Sequence, residues 1–165
     1  MIDKKDRDVN AGEVESSERY LQFDLGDEAY AIPLLSVKEV IPVPDTTPLP
    51  NVASFYVGIM NLRGQIISIV DLRKKLNINH KKNDSEEAVV IVQIDEVSVG
   101  LIVDAIQRVL NVPIESISEV PEINSQVNAK HIEGIYQGDK ALVVLLDLAS
   151  VLNINEIKKN QNKAA

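Results

Sequence analysis

The sequence predicts a mostly β protein built from two similar small barrels, and three observations support this prediction. Short apolar runs of strand length recur along the chain, with turn residues between them. No long helix is indicated, because no apolar stretch keeps a helical period over several turns. The segment 58–76 returns at 134–152 without a gap. Two copies of one supersecondary unit indicate a fold built twice, so we expect two superimposable halves.

The composition is that of an ordinary globular protein. Of the 165 residues, 45% are hydrophobic and 25% are charged, and aromatics are scarce at 4%, so the core must be aliphatic. The net charge of −8 disfavours nucleic acid or an anionic membrane surface as a partner. The lack of cysteine excludes disulfides, thiolate metal sites and a cysteine nucleophile. No apolar run approaches the roughly 20 residues that span a bilayer, so we expect no membrane insertion.

The two ends of the chain and one internal segment are predominantly polar. Residues 1–18 are predicted to form a disordered tail, and since they lack the apolar stretch of a secretion signal, we interpret the protein as cytoplasmic. Residues 156–165 are predicted to be a polar tail. The charged segment 80–87 marks an internal boundary, which places the first barrel at roughly 19–84 and the second at roughly 85–155.

The first half opens with a predicted hairpin. Its strands lie at 20–25 and 29–32, with a turn at Gly26 between them. A third strand is predicted at 37–41. The connection 42–50 contains four prolines, which cannot lie in a central strand, so we expect it to be extended.

A turn, a buried strand and a capped helix complete the first half. Residues 61–64 (Asn-Leu-Arg-Gly) are typical of a turn, because asparagine and glycine accept a positive φ. The β-branched run 65–70 predicts a strand. Asp71 is placed to cap a short helix at 72–76, with the basic run 73–75 near the helix C-terminus, where the dipole favours cations.

The second half repeats this order of elements. Strands predicted at 89–94, 97–103 and 106–110 match the first half, with Ala31 corresponding to Gly100 and Val40 to Val109. The turn, strand and helix that follow are separated from their counterparts in the first half by more residues than these strands are. The difference predicts a longer connection in the second half, between Pro113 and Ile132.

The two copies agree at the positions that shape the backbone and differ at the turn. Gly58 corresponds to Gly134, and Asp71 corresponds to Asp147. Arg63 corresponds instead to an acid, Asp139. Since the turn forms in both copies, the fold does not require the arginine, and this points to a functional role for its side chain.

The sequence contains no recognisable catalytic or metal-binding motif. There is no phosphate-binding loop and no nucleophile elbow. The two histidines, His80 and His131, have no neighbouring carboxylate or histidine at the spacing of metal ligands. We therefore predict no catalytic residue, no metal ligand and no enzymatic activity, and we interpret the chain as a binding module.

Four segments resemble the CheW family of bacterial chemotaxis adaptors. They occur in the order of that family and are 23–32, 37–40, 61–72 and 99–104. The resemblance covers about 19–153. It implies two five-stranded SH3-like barrels and a scaffold that couples methyl-accepting chemoreceptors to the regulatory domain of the histidine kinase CheA. It also implies no catalysis, no cofactor, and a location in receptor arrays at the inner face of the membrane.

The resemblance also implies which residues contact each partner. The receptor's helical hairpin tip would dock at six positions: Val37, Glu39, Gly58, Asn61, Arg63 and Val109. The kinase would contact Ala88. Each residue has a structural alternative, because Gly58 can be a backbone requirement and the two valines can belong to the core.

Strand alternation adds a specific hypothesis about one pair of these residues. Val37, Glu39 and Ile41 share one face of their strand, and a carboxylate between apolar neighbours needs a partner. The resemblance places the turn of Arg63 at the same docking groove, and its planar guanidinium suits a carboxylate, so we expect an ion pair between Glu39 and Arg63.

Two other functions remain open at this stage. The chain could serve a CheW-like role in a pathway that does not control motility. It could also be the adaptor part of a CheV-type protein, although its length and polar ends leave no room for the receiver domain of that type.

Overall fold

The computed structural model describes residues 16–79, 86–120, 127–139 and 141–164, and within these ranges the chain forms two β-sheets. The strands in chain order are β1 (Ser17–Leu25), β2 (Glu28–Pro33), β3 (Val37–Pro42), β4 (Tyr56–Leu62), β5 (Gln65–Asp71), β6 (Ala88–Ile94), β7 (Val97–Val103), β8 (Ala105–Pro113), β9 (Ile117–Ser118), β10 (Ile132–Gln137) and β11 (Leu142–Leu146). The helices are α1 (Leu72–Lys75), α2 (Leu148–Val151) and α3 (Ile154–Ala164), and 3₁₀ turns lie at Leu34–Ser36, Ile114–Ser116 and Ala129–His131.

The prediction of a mostly β fold with short helices is confirmed, and the internal repeat is structural. The five-stranded sheet has the order β3-β6-β7-β5-β4, and the six-stranded sheet has the order β8-β1-β2-β11-β10-β9. Each sheet contains one parallel pair. Ile69 lies opposite Gly100 in the first sheet, and Leu145 lies opposite Ala31 in the second. In the sequence repeat Ile69 corresponds to Leu145 and Ala31 to Gly100, so the two parallel pairs are equivalent.

The two strand-to-helix junctions are equivalent, as predicted. Asp71 is the N-cap of α1 and accepts hydrogen bonds from the backbone N–H groups of Arg73 and Lys74. Asp147 is the N-cap of α2 and accepts from the N–H of Ser150. Each carboxylate satisfies backbone donors that a helix leaves free at its start, so both aspartates have a structural role.

The expected division into barrels at residue 84 does not follow the sheets. The hairpin of β1 and β2 belongs to the sheet that contains β8 to β11, and the hairpin of β6 and β7 belongs to the sheet that contains β3 to β5. Each half thus gives its first hairpin to the other half. A repeat shows which segments are equivalent, but equivalent hairpins fit either sheet equally well, so the sequence could not show the exchange.

The two sheets share a main core, and each sheet also has a smaller buried cluster of its own. The largest cluster of buried apolar side chains combines residues of both sheets, among them Phe23, Tyr30, Val70 and Leu101. Most of its members are aliphatic, as the composition predicted. Burial of such side chains is the main force that stabilises the fold.

Two predictions about the chain ends need correction. Residues 1–15 lie outside the described part of the chain, but Ser17 and Glu18 already belong to β1, where they lie opposite Pro113 and Val112. The C-terminal segment is not a free tail, because 154–164 forms α3. Its Ile157 is 4% exposed and belongs to the main core, so this otherwise polar helix is docked through its apolar side chains.

Candidate protein-docking surface

The β4–β5 turn holds Arg63 in an unusual backbone conformation. Leu62 and Gln65 close the two-residue turn, and Arg63 and Gly64 have φ angles of 53° and 85°. Positive φ at both central residues matches the right-handed twist of a hairpin. Asn61 supports the turn, because its Oδ1 accepts the N–H of Gly64 at 2.9 Å. A side chain with a Cβ is disfavoured at positive φ, so the presence of arginine there supports a role for its guanidinium.

Arg63 forms the ion pair with Glu39 that strand alternation and the family resemblance together predicted. Nη1 donates to Oε2 at 2.7 Å, and Nη2 donates to Oε1 at 3.1 Å. Two parallel hydrogen bonds fix both the distance and the orientation of the two planar groups. The hydrogen bonds from Arg63 lower the pKa of the Glu39 carboxyl, and those to Glu39 raise the pKa of Arg63. Both groups are therefore charged at neutral pH.

The ion pair joins the two edges of the five-stranded sheet. Glu39 lies on β3 at one edge, and Arg63 follows β4 at the other edge. A cavity of about 120 Å³ lies beside the pair, with Lys38, Ile67 and Ser98 in its wall. The side chain of Arg63 is 73% exposed and that of Glu39 is 30% exposed. The pair therefore presents an oriented, water-accessible guanidinium at the rim of the barrel.

Gly58 is a backbone requirement of the fold. Its φ is 154°, and a Cβ on it would lie against the backbone carbonyl of Thr47. Thr47 and Ile59 exchange two backbone hydrogen bonds of 2.9 Å, which attach the proline-rich connection to β4. The fold alone therefore explains the glycine at position 58, and no contact with a binding partner is needed to explain it.

The other predicted site residues lie in different settings. Val37 is partly buried and packs against the main core, two residues before Glu39 on β3. Val109 is 46% exposed on β8, in the six-stranded sheet, and does not line the cavity beside Arg63. Ala88 begins β6, half-buried, opposite Pro42. Of the six proposed receptor contacts, the structure brings Glu39 and Arg63 into direct contact.

Sequence reasoning missed a buried charge cluster around Arg73. This side chain donates to Asp71 at 2.9 Å, to Glu87 at 3.0 Å and to Asp104 at 2.7 Å. Asp104 in turn accepts the N–H of Gly26 at 2.6 Å. Burial lowers the pKa of Arg73, but hydrogen bonds to the carboxylates outweigh it and the net pKa is raised. We call these residues the Arg73 cluster.

The Arg73 cluster ties the two sheets together. Gly26 lies in the β1–β2 turn of one sheet, Asp71 ends a strand of the other, and Asp104 lies between β7 and β8 where the chain crosses over. The sequence predicted only that Arg73 lies near the end of a short helix. One feature of the sequence could have indicated a special role for Arg73, because Ala149 occupies its position in the second copy of the repeat.

The described residues offer no feature of a metal site or a membrane helix. No group of three or more histidine or acidic side chains in this part of the chain is arranged to hold a metal ion. None of the helices in the described ranges combines the length and apolarity needed to cross a membrane.

Comparison with known proteins identifies the class and the family. A family model described as a CheW-like domain matches residues 19–156. The chain is 30% identical over 144 residues to the chemotaxis protein CheW of Treponema pallidum, with 85% of each chain covered. It is 30% identical over 154 residues to CheW of Klebsiella aerogenes, covering 93% of this chain and 92% of the relative.

A solved structure agrees with these sequence matches. The crystal structure of the scaffolding protein TtCheW from Thermoanaerobacter tengcongensis matches with a TM-score of 0.77 and 29% identity, covering 84% of this chain and 90% of that chain. The fold and the matches define a chemotaxis adaptor or scaffold. The chain belongs to the CheW family.

Proposed function

We propose that this chain couples methyl-accepting chemoreceptors to the histidine kinase CheA and lets the receptors control the activity of the kinase. The observation that carries the proposal is the exposed, pre-oriented Arg63 on a turn whose backbone disfavours a side chain. An arginine held in this way loses little side-chain freedom on binding, which favours its use as an interface anchor. The protein acts by binding alone, without catalysis and without a cofactor.

The proposed receptor surface contains the six residues implied by the family. Glu39 and Arg63 form its charged centre, and Asn61 supports the turn that presents Arg63. Val37 and Gly58 shape the strands beneath, and Val109 extends the surface to the other sheet. The receptor element that docks here is the helical hairpin at the cytoplasmic tip.

The proposed kinase contact is at Ala88, where the regulatory domain of CheA docks. Ala88 directly follows Glu87, which bonds Arg73 in the cluster that joins the sheets. A partner at Ala88 would therefore lie beside the link between the two sheets. Attached to both partners, the protein would be cytoplasmic and associated with receptor arrays at the inner face of the membrane.

Two related roles are the alternatives to this proposal. The chain could serve an adaptor pathway that does not control motility, or act as the adaptor part of a CheV-type protein. Both would use the same surfaces. The first differs from the main proposal in which receptor and which kinase bind, so binding to defined partners separates it. The second differs in that a CheV-type protein also carries a receiver domain.

Co-sedimentation with receptor-containing membranes tests the proposal. The protein should pellet with membranes that contain receptor and should pellet more completely when CheA is added. Arg63→Ala should reduce the pelleted fraction, whereas Lys158→Ala, an exposed change on α3, should not. Equal pelleting with receptor-free membranes, or an unaffected Arg63→Ala variant, would contradict the proposal.

A further inference from the structure

The Glu39–Arg63 pair has a repeat-related counterpart with reversed charges. In the sequence repeat, Arg108 occupies the position of Glu39, and Asp139 occupies the position of Arg63. Where the first copy has an acid on the strand and a base on the turn, the second has a base on the strand and an acid on the turn.

The two positions are also equivalent in three dimensions. Glu39 lies opposite Ile91 across the β3–β6 pair, and Arg108 lies opposite Gln22 across the β8–β1 pair. A cavity of about 120 Å³ opens at the first site, and one of about 90 Å³ opens at the second. Repeat-related side chains line both cavities, namely Arg63 and Ile67 in the first and Asp139 and Val143 in the second.

The second site differs from the first because its charges are not joined. Arg108 and Asp139 line one cavity, yet among the described residues they form no ion pair with each other. The side-chain hydrogen bond of Arg108 runs from Nε to Oε1 of Gln22, at a long 3.4 Å. Two opposite charges and the apolar cavity wall of Leu110, Tyr136 and Val143 are thus available to a partner.

We infer that Arg108 and Asp139 form a second docking surface, which receives a helix of the chemoreceptor hairpin carrying an acidic and a basic side chain about one turn apart. The inference rests on the proposed function, since it assigns the receptor to this surface as well. Val109, a proposed receptor contact, directly follows Arg108 on β8, but neighbouring residues of a strand face opposite sides of the sheet. The assignment of the receptor to this surface therefore rests on the repeat-related geometry of the two sites.

Charge complementarity determines what the occupant must carry. An acidic side chain would accept hydrogen bonds from the guanidinium of Arg108, and a basic one would donate to the carboxylate of Asp139. Side chains three or four residues apart lie on one face of a helix, about 5–6 Å from each other. Two such side chains on one helix can therefore contact Arg108 and Asp139 together. Because the charges at the first site have the opposite order, a helix that fits the second site would place its charges against like charges if it lay on the first site in the equivalent orientation. The reversal would therefore fix the direction in which a two-helix hairpin docks on this nearly symmetric adaptor.

Binding of a soluble receptor signalling fragment to the full chain tests the inference. We expect Arg108→Glu and Asp139→Arg each to weaken the fragment's affinity about tenfold, as for an interface anchor. The double variant should stay at least as weak, because each charge faces the partner. Lys158→Glu, a charge reversal on the exposed face of α3, is the matched control and should bind normally. Thermal melting of each variant checks that it is folded.

The other outcomes separate this inference from the proposed function. Restored affinity in the double variant would show that Arg108 and Asp139 only pair with each other, and would overturn the inference. Normal binding of Arg108→Glu together with weakened binding of Arg63→Ala would also overturn the inference. The proposed function would stand in that case. If Arg63→Ala also binds normally, the proposed receptor surface itself is wrong. If Arg108→Glu and Asp139→Arg lost binding to the kinase regulatory domain but kept normal binding to the receptor fragment, the surface would be assigned to the kinase and the inference would be overturned.

Discussion

Replacing Arg73 by methionine should destabilise the whole fold, because Arg73 is the cation of a buried cluster with three carboxylates. The side chain of Arg73 is 8% exposed, and those of Asp71, Glu87 and Asp104 are 9%, 15% and 7% exposed. Methionine keeps much of the apolar stem, so the variant removes charge and hydrogen bonds without leaving a large cavity. The three carboxylates would then face one another in a site with little access to water.

The expected loss follows from the desolvation of these charges. Removing one partner of a buried ion pair costs about 3–5 kcal/mol, because the remaining charge stays buried without compensation. For proteins of roughly 150–250 residues, each kcal/mol shifts the thermal midpoint by roughly 2–4 °C. The midpoint of Arg73→Met should therefore fall by roughly 6–20 °C. Arg73→Lys keeps the charge but not the planar fork, so its midpoint should lie between those of Arg73→Met and the unchanged protein.

Thermal and urea denaturation measure this effect, and hydrogen exchange locates it. The N–H of Gly26 donates to Asp104, so its exchange should accelerate in Arg73→Met as the link between the sheets loosens. Lys74→Met is the matched control, since Lys74 is the exposed neighbour of Arg73 in α1. A midpoint for Arg73→Met within about 2 °C of the control would refute the reasoning, because it would show that the carboxylates need no cation.

Three further predictions concern the five-stranded sheet. Ile69→Ser puts a hydroxyl at a fully buried site and should lower the free energy of unfolding by about 3 kcal/mol or more, measured by urea denaturation. Gly58→Ala sets a Cβ against the Thr47 carbonyl, so hydrogen exchange at the Thr47 amide should accelerate. Arg63→Ala should raise the pKa of the Glu39 carboxyl in an NMR titration while the thermal midpoint stays nearly unchanged. An unaltered Glu39 titration would mean that the ion pair does not form in solution.

Local patterns in the sequence predicted the elements that depend on near neighbours. The capping roles of Asp71 and Asp147 followed from an acid directly before a short apolar helix. Period-two alternation predicted that the Glu39 carboxylate needs a partner, and the family resemblance, which places the Arg63 turn at the same surface, identified that partner. The caps are decided by residue type and by the geometry of one strand-to-helix junction, whereas the ion pair joins the two edges of the five-stranded sheet.

Features that depend on the relation between distant segments were not predictable. Exchange of the two hairpins leaves the repeat unchanged, so strand patterns carry no information about it. Burial of Arg73 depends on Asp104, which is distant in sequence and reaches Arg73 only once the sheets have assembled. Arg108 and Asp139 form no ion pair with each other, and this likewise depends on the positions of their side chains and not on residue types.

The adaptor function is tested most directly by the autophosphorylation rate of CheA in a reconstituted system. The assay combines receptor-containing membranes, the kinase and this protein, and omits each component in turn. We expect the protein to raise the rate only when receptor is present, and Arg63→Ala to lose most of that stimulation while remaining folded. Stimulation of the kinase without receptor, or full stimulation by Arg63→Ala, would contradict the account.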